Sequence, residues 1–561
     1  MPTDNQRPSI AIVGMGPRGL GALEALATQL GNTDLVFDVD IFDPVKHLGA
    51  GPNFCPDESK LCLLNIPTRE ISVEPPAFPG AQVCQFLDWP SLSGNPDTFP
   101  PRAILGEYFE ARYRDLDRNA KALCLSQRPE RVTDIQNEND GWWIETGRQR
   151  FGPYHEVLLT QGQPATKPDE QLGRWTDHVQ NNAGELSAAY PGTTLLKTAQ
   201  NWAGKNIAIR GLGLSTLDVL RILTCGLGGR FEDGRYLRSG SEPAKILPFS
   251  LDGHAPVPKP ANAKLDTMFD PTKDETKSFD AALMKATTQS RETAIMTVSE
   301  ALVAPAARIL KEMGNPLKEG DVRNWLTMER EAPGSQETQS PTEALRTGIA
   351  MADGDLPPSI GFVVGQLWRK WQNALRSGFN SAQISPETAK ALVTFDEGLK
   401  RYSYGPPVRS AKELIMLIDA EVVDLCAADD PSIRLIEEGW QLVDANREIT
   451  VSVMIDAVMP SPALDTTADP LIEKLMAKGN ISAVCDGLGA RAKADGQLIG
   501  QNDNTPSGIC MLGRLSLGSV IAADSIHDCF GAATKRWADG VIIRVDRTQL
   551  QSCDVLDESA L

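Results

Sequence analysis

The stretch from Ser9 to Asp43 reads SIAIVGMGPRGLGALEALATQLGNTDLVFDVDIFD and decides the fold of the chain. Residues 10–13 form a short, fully apolar run, which is typical of a buried parallel strand. The run ends at Gly14-Met15-Gly16-Pro17-Arg18-Gly19, a complete G-x-G-x-x-G pattern. In dinucleotide-binding folds the first glycine permits a tight turn, the second lets backbone approach a pyrophosphate, and the third lets the next helix pack closely on the strand.

The residues that follow complete a strand–helix–strand unit. Apolar residues recur at helical spacing over residues 20–30, and residues 35–42 predict the second strand. The helix start near Pro17 and Arg18 offers free N–H groups and partial positive charge to a pyrophosphate. Asp43, at the end of the second strand, can accept hydrogen bonds from an adenosine ribose. The alternative is an ordinary glycine turn in an α/β unit that binds no cofactor.

Length and composition limit the possible classes of protein. The chain has 561 residues, enough for about three structural units. No secretory signal and no run of about 18 apolar residues is evident, so we expect a cytoplasmic protein that does not enter membranes. Ten cysteines without a CxxC or Cys/His cluster argue against zinc and disulfides, so no metal site is predicted. A net charge of −19 disfavours nucleic acid and favours small-molecule partners, while the oligomeric state stays open.

A second glycine turn follows about two hundred residues after the first. Residues 205–218 read KNIAIRGLGLSTLD, which predicts a strand, a turn at Gly211 and Gly213, and a helix that begins near Ser215. Thr216 stands where a third glycine is expected, so helix and strand are expected to lie slightly further apart. This unit is predicted to bind a second nucleotide, and the alternative is a cofactor-free α/β unit.

The rest of the chain divides by pattern. Residues 261–440 are predominantly helical, and α/β patterning returns at about residue 449. We therefore predict an α/β fold with parallel sheets and a large α-helical insertion. Trp368 and Trp371 could line a substrate pocket, although two aromatic residues at helical spacing are more often part of a core. The predicted units are 1–200 and 441–545 for the first dinucleotide domain, 201–260 for the second, 261–440 for the insertion, and 546–561 for an acidic, frayed tail.

Several segments together resemble a known family. They are Asp43-Pro44, Gly49-Ala50-Gly51, Leu64-Asn65-Ile66-Pro67, the stretch FPPRAILGEY at 99–108, and Gly211-x-Gly213-Leu214-Ser215 with Asp218. In this order they are similar to bacterial and fungal FAD/NAD(P)-binding proteins related to flavin-dependent N-hydroxylating monooxygenases. The resemblance spans nearly the whole chain and implies a flavoprotein with two dinucleotide-binding domains, for FAD and for NAD(P)H.

The resemblance also implies roles for single residues. Residues placed near FAD, in addition to those of the first turn, are Gly49, Gly51, Arg102, Gly162, Gly513 and Gly518. Gly162 ends the segment Thr160-Gln161-Gly162, where relatives usually carry Ala-Thr-Gly. Asn65 is the candidate catalytic residue, because its side chain could hydrogen-bond near the flavin or the nicotinamide. The alternative is that Asn65 only closes a turn before Ile-Pro.

The choice between NADH and NADPH is open in the sequence. Family members tend to carry an arginine after the strand at 246–249 that would hold a 2′-phosphate, and here Leu251 and Asp252 occupy that place. We therefore expect NADH to be used at least as well as NADPH. Arginines that could approach from another direction are Arg210, Arg235 and Arg238.

Three functions follow from these observations. The main hypothesis is an FAD-dependent oxidoreductase, namely an NAD(P)H-dependent monooxygenase that hydroxylates a small metabolite such as the amine of an amino acid. The second is an FAD-dependent dehydrogenase or oxidase whose nicotinamide site has degenerated, as Thr216 and Asp252 would suggest. The third is a nucleotide-sensing module without catalysis.

Overall fold

The computed structural model describes residues 7–31, 33–71, 73–444 and 447–558. Within these ranges the strands are β1 (Ser9–Val13), β2 (Phe37–Phe42), β3 (Leu123–Arg128), β4 (Val132–Glu138), β5 (Gly141–Thr146), β6 (Arg150–Tyr154), β7 (Glu156–Leu159), β8 (Glu185–Ala188), β9 (Asn206–Arg210), β10 (Arg230–Glu232), β11 (Arg235–Leu237), β12 (Lys245–Phe249), β13 (Ser432–Ile436), β14 (Gly439–Asp444), β15 (Arg447–Val451), β16 (Val453–Asp456) and β17 (Ile509–Met511).

The α-helices of the same ranges are concentrated in the middle of the chain. They are α1 (Pro17–Leu30), α2 (Arg102–Asn119), α3 (Glu170–Val179), α4 (Gly192–Ala199), α5 (Leu214–Leu223), α6 (Ala263–Asp266), α7 (Lys273–Ala286), α8 (Arg291–Glu312), α9 (Glu319–Glu331), α10 (Pro341–Asp353), α11 (Ile360–Lys370), α12 (Gln372–Phe379), α13 (Pro386–Ser403), α14 (Val408–Asp419), α15 (Pro470–Ala477), α16 (Ile526–Cys529) and α17 (Ala532–Glu558).

The first sheet is parallel and has the strand order β17-β7-β1-β2-β3. Its central strands β1 and β7 are apolar because α1 and other elements cover both faces, and residues 10–12 are fully buried. The glycine turn therefore lies at the carboxyl edge of the sheet, where ligands of such folds bind. A separate antiparallel sheet with the order β4-β5-β6 contains Trp142.

The second sheet is also parallel, with the order β12-β9-β16-β8. It differs from the predicted division of the chain in two places. Strand β8 precedes residue 201 and strand β16 follows residue 441, yet both pair within this sheet rather than the first. Sequence order did not reveal this because short apolar strands carry no signal for the sheet they join. The two parallel sheets with many helices confirm the predicted fold class.

Helices α6 to α14 form the predicted helical region, which has its own core. Trp368 and Trp371 belong to this core, because their indole N–H groups donate to Asp396 and Thr276 inside it. The hypothesis that these tryptophans line a pocket is therefore wrong. Within the described part of the chain, α8 is the one helix long and apolar enough to suit a membrane span, and half of its most apolar window is buried inside the protein.

The C-terminal segment closes the first dinucleotide unit. The buried guanidinium of Arg18 in α1 donates to the carboxylate of Asp528 in α16 at 2.7 Å and to the carbonyl of Ala523 at 3.0 Å. Helix α17 then packs along α1 and continues to Glu558. The predicted frayed tail is therefore helical to Glu558, and residues 559–561 lie outside the described residues.

We expect the Arg18–Asp528 pair to be needed for the stability of the fold. Replacing Asp528 with alanine leaves a buried guanidinium without its carboxylate, which commonly costs about 3–5 kcal/mol. The matched control is Glu300→Ala, which breaks the exposed pair with Arg323 and should cost no more than about 1 kcal/mol. The midpoint of thermal unfolding measures both, and equal midpoints for the two variants would contradict the expectation.

Candidate active site

The first glycine turn is shaped by a close approach of two backbones. Gly14 has a φ of +94°, and a methyl group there would lie 2.6 Å from the Cα of Gln161. The hydroxyl of Thr160 donates to the carbonyl of Gly14 at 2.5 Å. A methyl group at Gly19 would lie 2.6 Å from the same carbonyl. Gly14 and Gly19 are thus required by the packing of the protein itself.

Gly16 is different, because its open side faces Gly51. A methyl group at Gly16 would meet only Gly51, whose Cα would be 3.6 Å away. Gly51 has a φ of +65°, and the N–H of Gly49 donates to the carbonyl of Met15 at 2.7 Å. The buried side-chain oxygen of Gln161 has no hydrogen-bond partner among the described residues. A bare backbone cradle with an unused acceptor beside it fits the pyrophosphate and ribose of FAD.

Other predicted FAD residues already have partners within the protein. Asp43 accepts from the backbone N–H of Met15 at 2.6 Å and of Val45 at 3.0 Å, so its carboxylate supports the turn, and ribose binding stays a prediction. The guanidinium of Arg18 is engaged with Asp528, which leaves the backbone of Arg18 for a ligand. Gly513 lies against Arg18, because a methyl group at Gly513 would be 2.9 Å from its Nε.

The other three glycines have different surroundings. Gly162 has a φ of +71° and nothing within 4 Å of where a methyl group would lie, so it is open to a ligand. Gly518 has a φ of +103° and packs against Leu488. Contact of either glycine with FAD stays a prediction.

The second glycine turn keeps its shape despite Thr216. Gly211 has a φ of +113°, and no atom lies within 4 Å of where a methyl group on Gly213 would be. Thr216 is buried, and its hydroxyl donates to the carbonyl of Gly211 at 2.7 Å. The threonine therefore holds the turn through a hydrogen bond where a glycine would allow close packing. The start of α5, with Ser215 in its first turn, remains available to a phosphate.

Arg102 joins the two dinucleotide units. Its guanidinium donates to the carboxylate of Asp218 in α5 at 2.6 Å and to the carbonyl of Leu63 at 3.1 Å, while the hydroxyl of Tyr190 also donates to Asp218 at 2.8 Å. Burial raises the pKa of Asp218, and the charge of Arg102 opposes that shift. Arg102 thus orients the loop that begins near Leu63 relative to the second unit, and its direct contact with FAD stays a prediction.

The predicted 2′-phosphate position contains an arginine that the sequence did not suggest. Asp252 follows β12, and its carboxylate accepts from Ser250 at 2.8 Å and from the guanidinium of Arg401 in α13 at 3.4 Å. The Nε of Arg401 is buried and has no hydrogen-bond partner in the described part of the chain. Local pattern could not reveal Arg401, because it comes from the helical region about 150 residues later.

Of the arginines considered from sequence, two have other partners. Arg210 pairs with Asp169 and Asp456, and Arg238 donates to backbone carbonyls of residues 243 and 244. Arg235 begins strand β11 of a small exposed hairpin. The helical region therefore supplies the guanidinium nearest to Asp252.

A group of buried polar side chains lies where the helical region meets the first unit. The ammonium of Lys259 donates to the carbonyl of Asn65 at 2.5 Å, and the ring Nε2 of His527 donates to the carbonyl of Glu70 at 2.8 Å. His527 adjoins Asp528, the partner of Arg18 at the start of α1. The loop that carries Asn65 and the helix that carries His527 thus connect this group to the predicted FAD turn.

Arg376 of α12 belongs to the same group. Burial lowers the pKa of His527, and the positive charges of Arg376 and Lys259 lower it further. The hydrogen bond to the carbonyl of Glu70 raises this pKa and so opposes these effects. Arg376 is 9% exposed, and its Nη1 has no hydrogen-bond partner among the described residues. Its Nη2 donates to the side-chain oxygen of Asn373, and no carboxylate of the described residues lies within ion-pair distance of the guanidinium. Because a buried charge without a counter-ion is costly, this arrangement favours an anionic ligand beside α16.

Sequence reasoning named Asn65 in this group but missed Arg376, Lys259 and His527. One signal was present for Arg376, because it lies between Gln372 and Phe379 on the buried side of an apolar helix, where a cation needs a partner. Lys259 and His527 carried no such signal.

Two other features lie away from these residues. A cavity of about 620 Å³, lined by apolar residues such as Ile295, Leu326 and Phe395, lies within the helical region. The fold also brings His47, Cys55 and Asp57 together, with possible ligand atoms within 4.8 Å of one another, although no cluster was evident from spacing. Asp57 already accepts hydrogen bonds from His47 and Lys46, and we assign no metal to this group.

The chain is similar to several known proteins. Residues 11–164 match the family model described as FAD-NAD(P)-binding. The chain is 27% identical over 542 residues to nitrosuccinic acid synthase of Aspergillus oryzae, covering 85% of this chain and 82% of that protein. It is 26% identical over 584 residues to L-aspartate N-monooxygenase (nitrosuccinate-forming) of Streptomyces davaonensis, covering 84% of this chain and 85% of that protein.

The fold has a similar solved structure. The reduced form of ornithine hydroxylase from Pseudomonas aeruginosa matches with a TM-score of 0.50 and 12% identity, over 96% of this chain and 100% of that chain. The predicted resemblance is confirmed, and the comparisons agree with the predicted FAD-dependent oxidoreductase that uses FAD and NAD(P)H.

We expect alanine at Gly14 and at Gly16 to have different effects. Gly16→Ala should fold normally, but its affinity for FAD should fall at least about tenfold, because its methyl group points where the pyrophosphate would bind. Gly14→Ala should fold poorly, since its methyl group meets the backbone of Gln161. Gly204→Ala, at a φ of +74° with open space around it, is the control and should cost only about 1–2 kcal/mol. Flavin absorbance and thermal unfolding measure the two effects, and full flavin content in Gly16→Ala would refute the assignment.

We expect the wild type to use NADH at least as well as NADPH, because the guanidinium of Arg401 is already paired with the carboxylate of Asp252. Asp252→Ala should free that guanidinium for a 2′-phosphate and raise the NADPH-to-NADH ratio of kcat/KM about 10- to 100-fold, since charged hydrogen bonds contribute about 1.5–3 kcal/mol. The double variant Asp252→Ala/Arg401→Met should lose the gain. Rates of flavin reduction give the ratio, and a strong NADPH preference in the wild type would show the expectation to be wrong.

Proposed function

We propose that this flavin monooxygenase oxygenates the amine nitrogen of a small acidic amino acid of the aspartate type. The observation that carries the proposal is Arg376, a buried guanidinium with an unused N–H group that lies near His527. A guanidinium in this position can hold a carboxylate through two parallel hydrogen bonds. Two relatives support an acidic substrate, because one is named for L-aspartate and both are named for nitrosuccinate.

The residues of this group bind and orient the substrate. Arg376 holds a carboxylate of the substrate, and burial of this region limits the access of water. The carbonyl of Asn65 fixes Lys259, so the loop at residues 65–70 and the segment around residue 259 keep a constant position. When bound and reduced by NAD(P)H, FAD supplies activated oxygen for transfer to the amine. The intact second glycine turn supports this function over an oxidase with a degenerate nicotinamide site.

We propose a cytoplasmic enzyme with a small-molecule substrate, in which Gly14, Gly16, Gly49 and Gly51 hold FAD and the turn at Gly211 and Gly213 holds NAD(P)H. Asn65 would act through its backbone carbonyl, which differs from the side-chain role first predicted.

The function is tested with purified holoenzyme and a panel of L-aspartate, L-glutamate, L-ornithine and L-lysine. NAD(P)H oxidation and mass spectrometry of the products are followed together. We expect L-aspartate to stimulate NAD(P)H oxidation most strongly and to gain oxygen at its nitrogen. Absence of an oxygenated amine from every member of the panel would refute the proposal.

The role of Arg376 has its own prediction. Arg376→Met should raise KM for the acidic amino acid about 10- to 100-fold, because a charged hydrogen bond is lost, while flavin content and flavin reduction stay at wild-type values. Arg376→Lys should recover part of the affinity. Arg434→Met, on an exposed strand, is the matched control. An unchanged KM in Arg376→Met would assign the carboxylate to another residue.

A further inference from the structure

Lys259 is held in an unusual place for a lysine. It stands between Pro258 and Pro260, and its backbone N–H donates to the carbonyl of Pro406 at 2.9 Å. The bare Cα of Gly405 packs against the carbonyl of Val257, which further fixes this segment. The residue is 5% exposed, and the hydrogen bond described for its ammonium group goes to the carbonyl of Asn65.

The acidic groups around Lys259 are neutralised by other cations. Arg369 donates to Glu70 and to Asp266, Lys370 also donates to Asp266, and Arg69 donates to Glu70. No carboxylate of the described residues lies within ion-pair distance of Lys259. Burial, followed by the charge of Arg369, lowers the pKa of Lys259 to about 7, against the opposing charges of Glu70 and Asp266. Near neutral pH a large share of Lys259 is therefore uncharged.

His527 is the other titratable group beside Lys259, and its hydrogen bonds give it a different role. Its Nε2 faces the carbonyl of Glu70, so this nitrogen carries a proton and cannot accept one. In this tautomer Nδ1 holds the lone pair of the ring and accepts from the hydroxyl of Ser525 at 3.3 Å, so the lone pair is already engaged. An uncharged Lys259, in contrast, donates one N–H to Asn65 and keeps a lone pair to accept a proton.

The proposed reaction needs such an acceptor. An amino acid arrives with its amine protonated, and an ammonium nitrogen has no lone pair with which to take up an oxygen atom. One N–H bond must break, with its electron pair staying on the substrate nitrogen and the proton passing to a base. No electrons are exchanged in this step.

We propose that Lys259 is the base that accepts this proton, and that its hydrogen bond to Asn65 aims its lone pair. The inference rests on the proposed function, because it assumes an amine substrate held by Arg376. The charges of Lys259 and Arg376 both lower the pKa of His527, so the two residues lie near the same ring, and in this proposal the carboxylate of the ligand faces Arg376 while its amine faces Lys259.

The test compares Lys259→Arg and Lys259→Met with the wild type. Arginine keeps the positive charge but does not give up its proton, so both variants lack the base. We expect kcat/KM for the oxygenated amine to fall about 10²- to 10⁴-fold at pH 7, while flavin content and flavin reduction by NAD(P)H remain. Lys264→Met, at an exposed position of α6, is the matched control and should behave as the wild type.

The pH profile separates a base from a structural residue. In the wild type kcat/KM should rise through about pH 7 as Lys259 loses its proton. Both variants should lack this rise and recover only at alkaline pH, where the free substrate amine deprotonates by itself. A variant that keeps the rise, or a wild-type profile that is flat between about pH 6 and 8, would overturn the proposal. Failure of the proposed function is distinct, because the wild type would then yield no oxygenated amine at any pH.

Discussion

The close approach of the turn at Gly14 to the turn at Thr160-Gln161 is the constraint on which the first dinucleotide unit depends. Strands β1 and β7 are parallel neighbours, so the turns at their carboxyl ends lie side by side. The space between these two turns has no room for a side chain. The hydroxyl of Thr160 then ties the two turns together. Because this contact is made by Gly14, the neighbouring Gly16 is left with open space, and the start of α1 can face a ligand.

The C-terminal segment extends this constraint toward the helical region. Arg18 leaves the same helix and is neutralised by Asp528, which brings α16 against the start of α1. His527 of α16 then reaches the loop at Glu70. A buried ion pair of this kind is costly to break, so it fixes the position of α16 relative to the flavin turn. The residues proposed to bind substrate are thus held by the same contacts that hold the cofactor turn.

The helical region supplies cations to both dinucleotide units. Arg376 lies beside α16 and Arg401 beside Asp252, while Arg369 neutralises the acids near Lys259. The chain as a whole carries a charge of −19, whereas Arg376 is a buried cation without a carboxylate partner among the described residues, so it contributes a local field opposite to that of the surface. Such a field is suited to draw a small anionic substrate inward and to hold its carboxylate once water is excluded.

The sequence by itself determined the α/β class, the two glycine turns and the helical insertion, because strand runs, glycine patterns and helical periodicity are local. Segments such as Leu64-Asn65-Ile66-Pro67 also carried a resemblance that the comparisons confirmed. Only the tertiary structure decided that β8 and β16 join the second sheet, that Arg102 pairs with Asp218, and that Trp368 is part of a core. The positions of Arg376, Lys259 and Arg401 depend on contacts between residues far apart in the chain, and the energy of a buried charge is set by neighbours that local pattern does not contain.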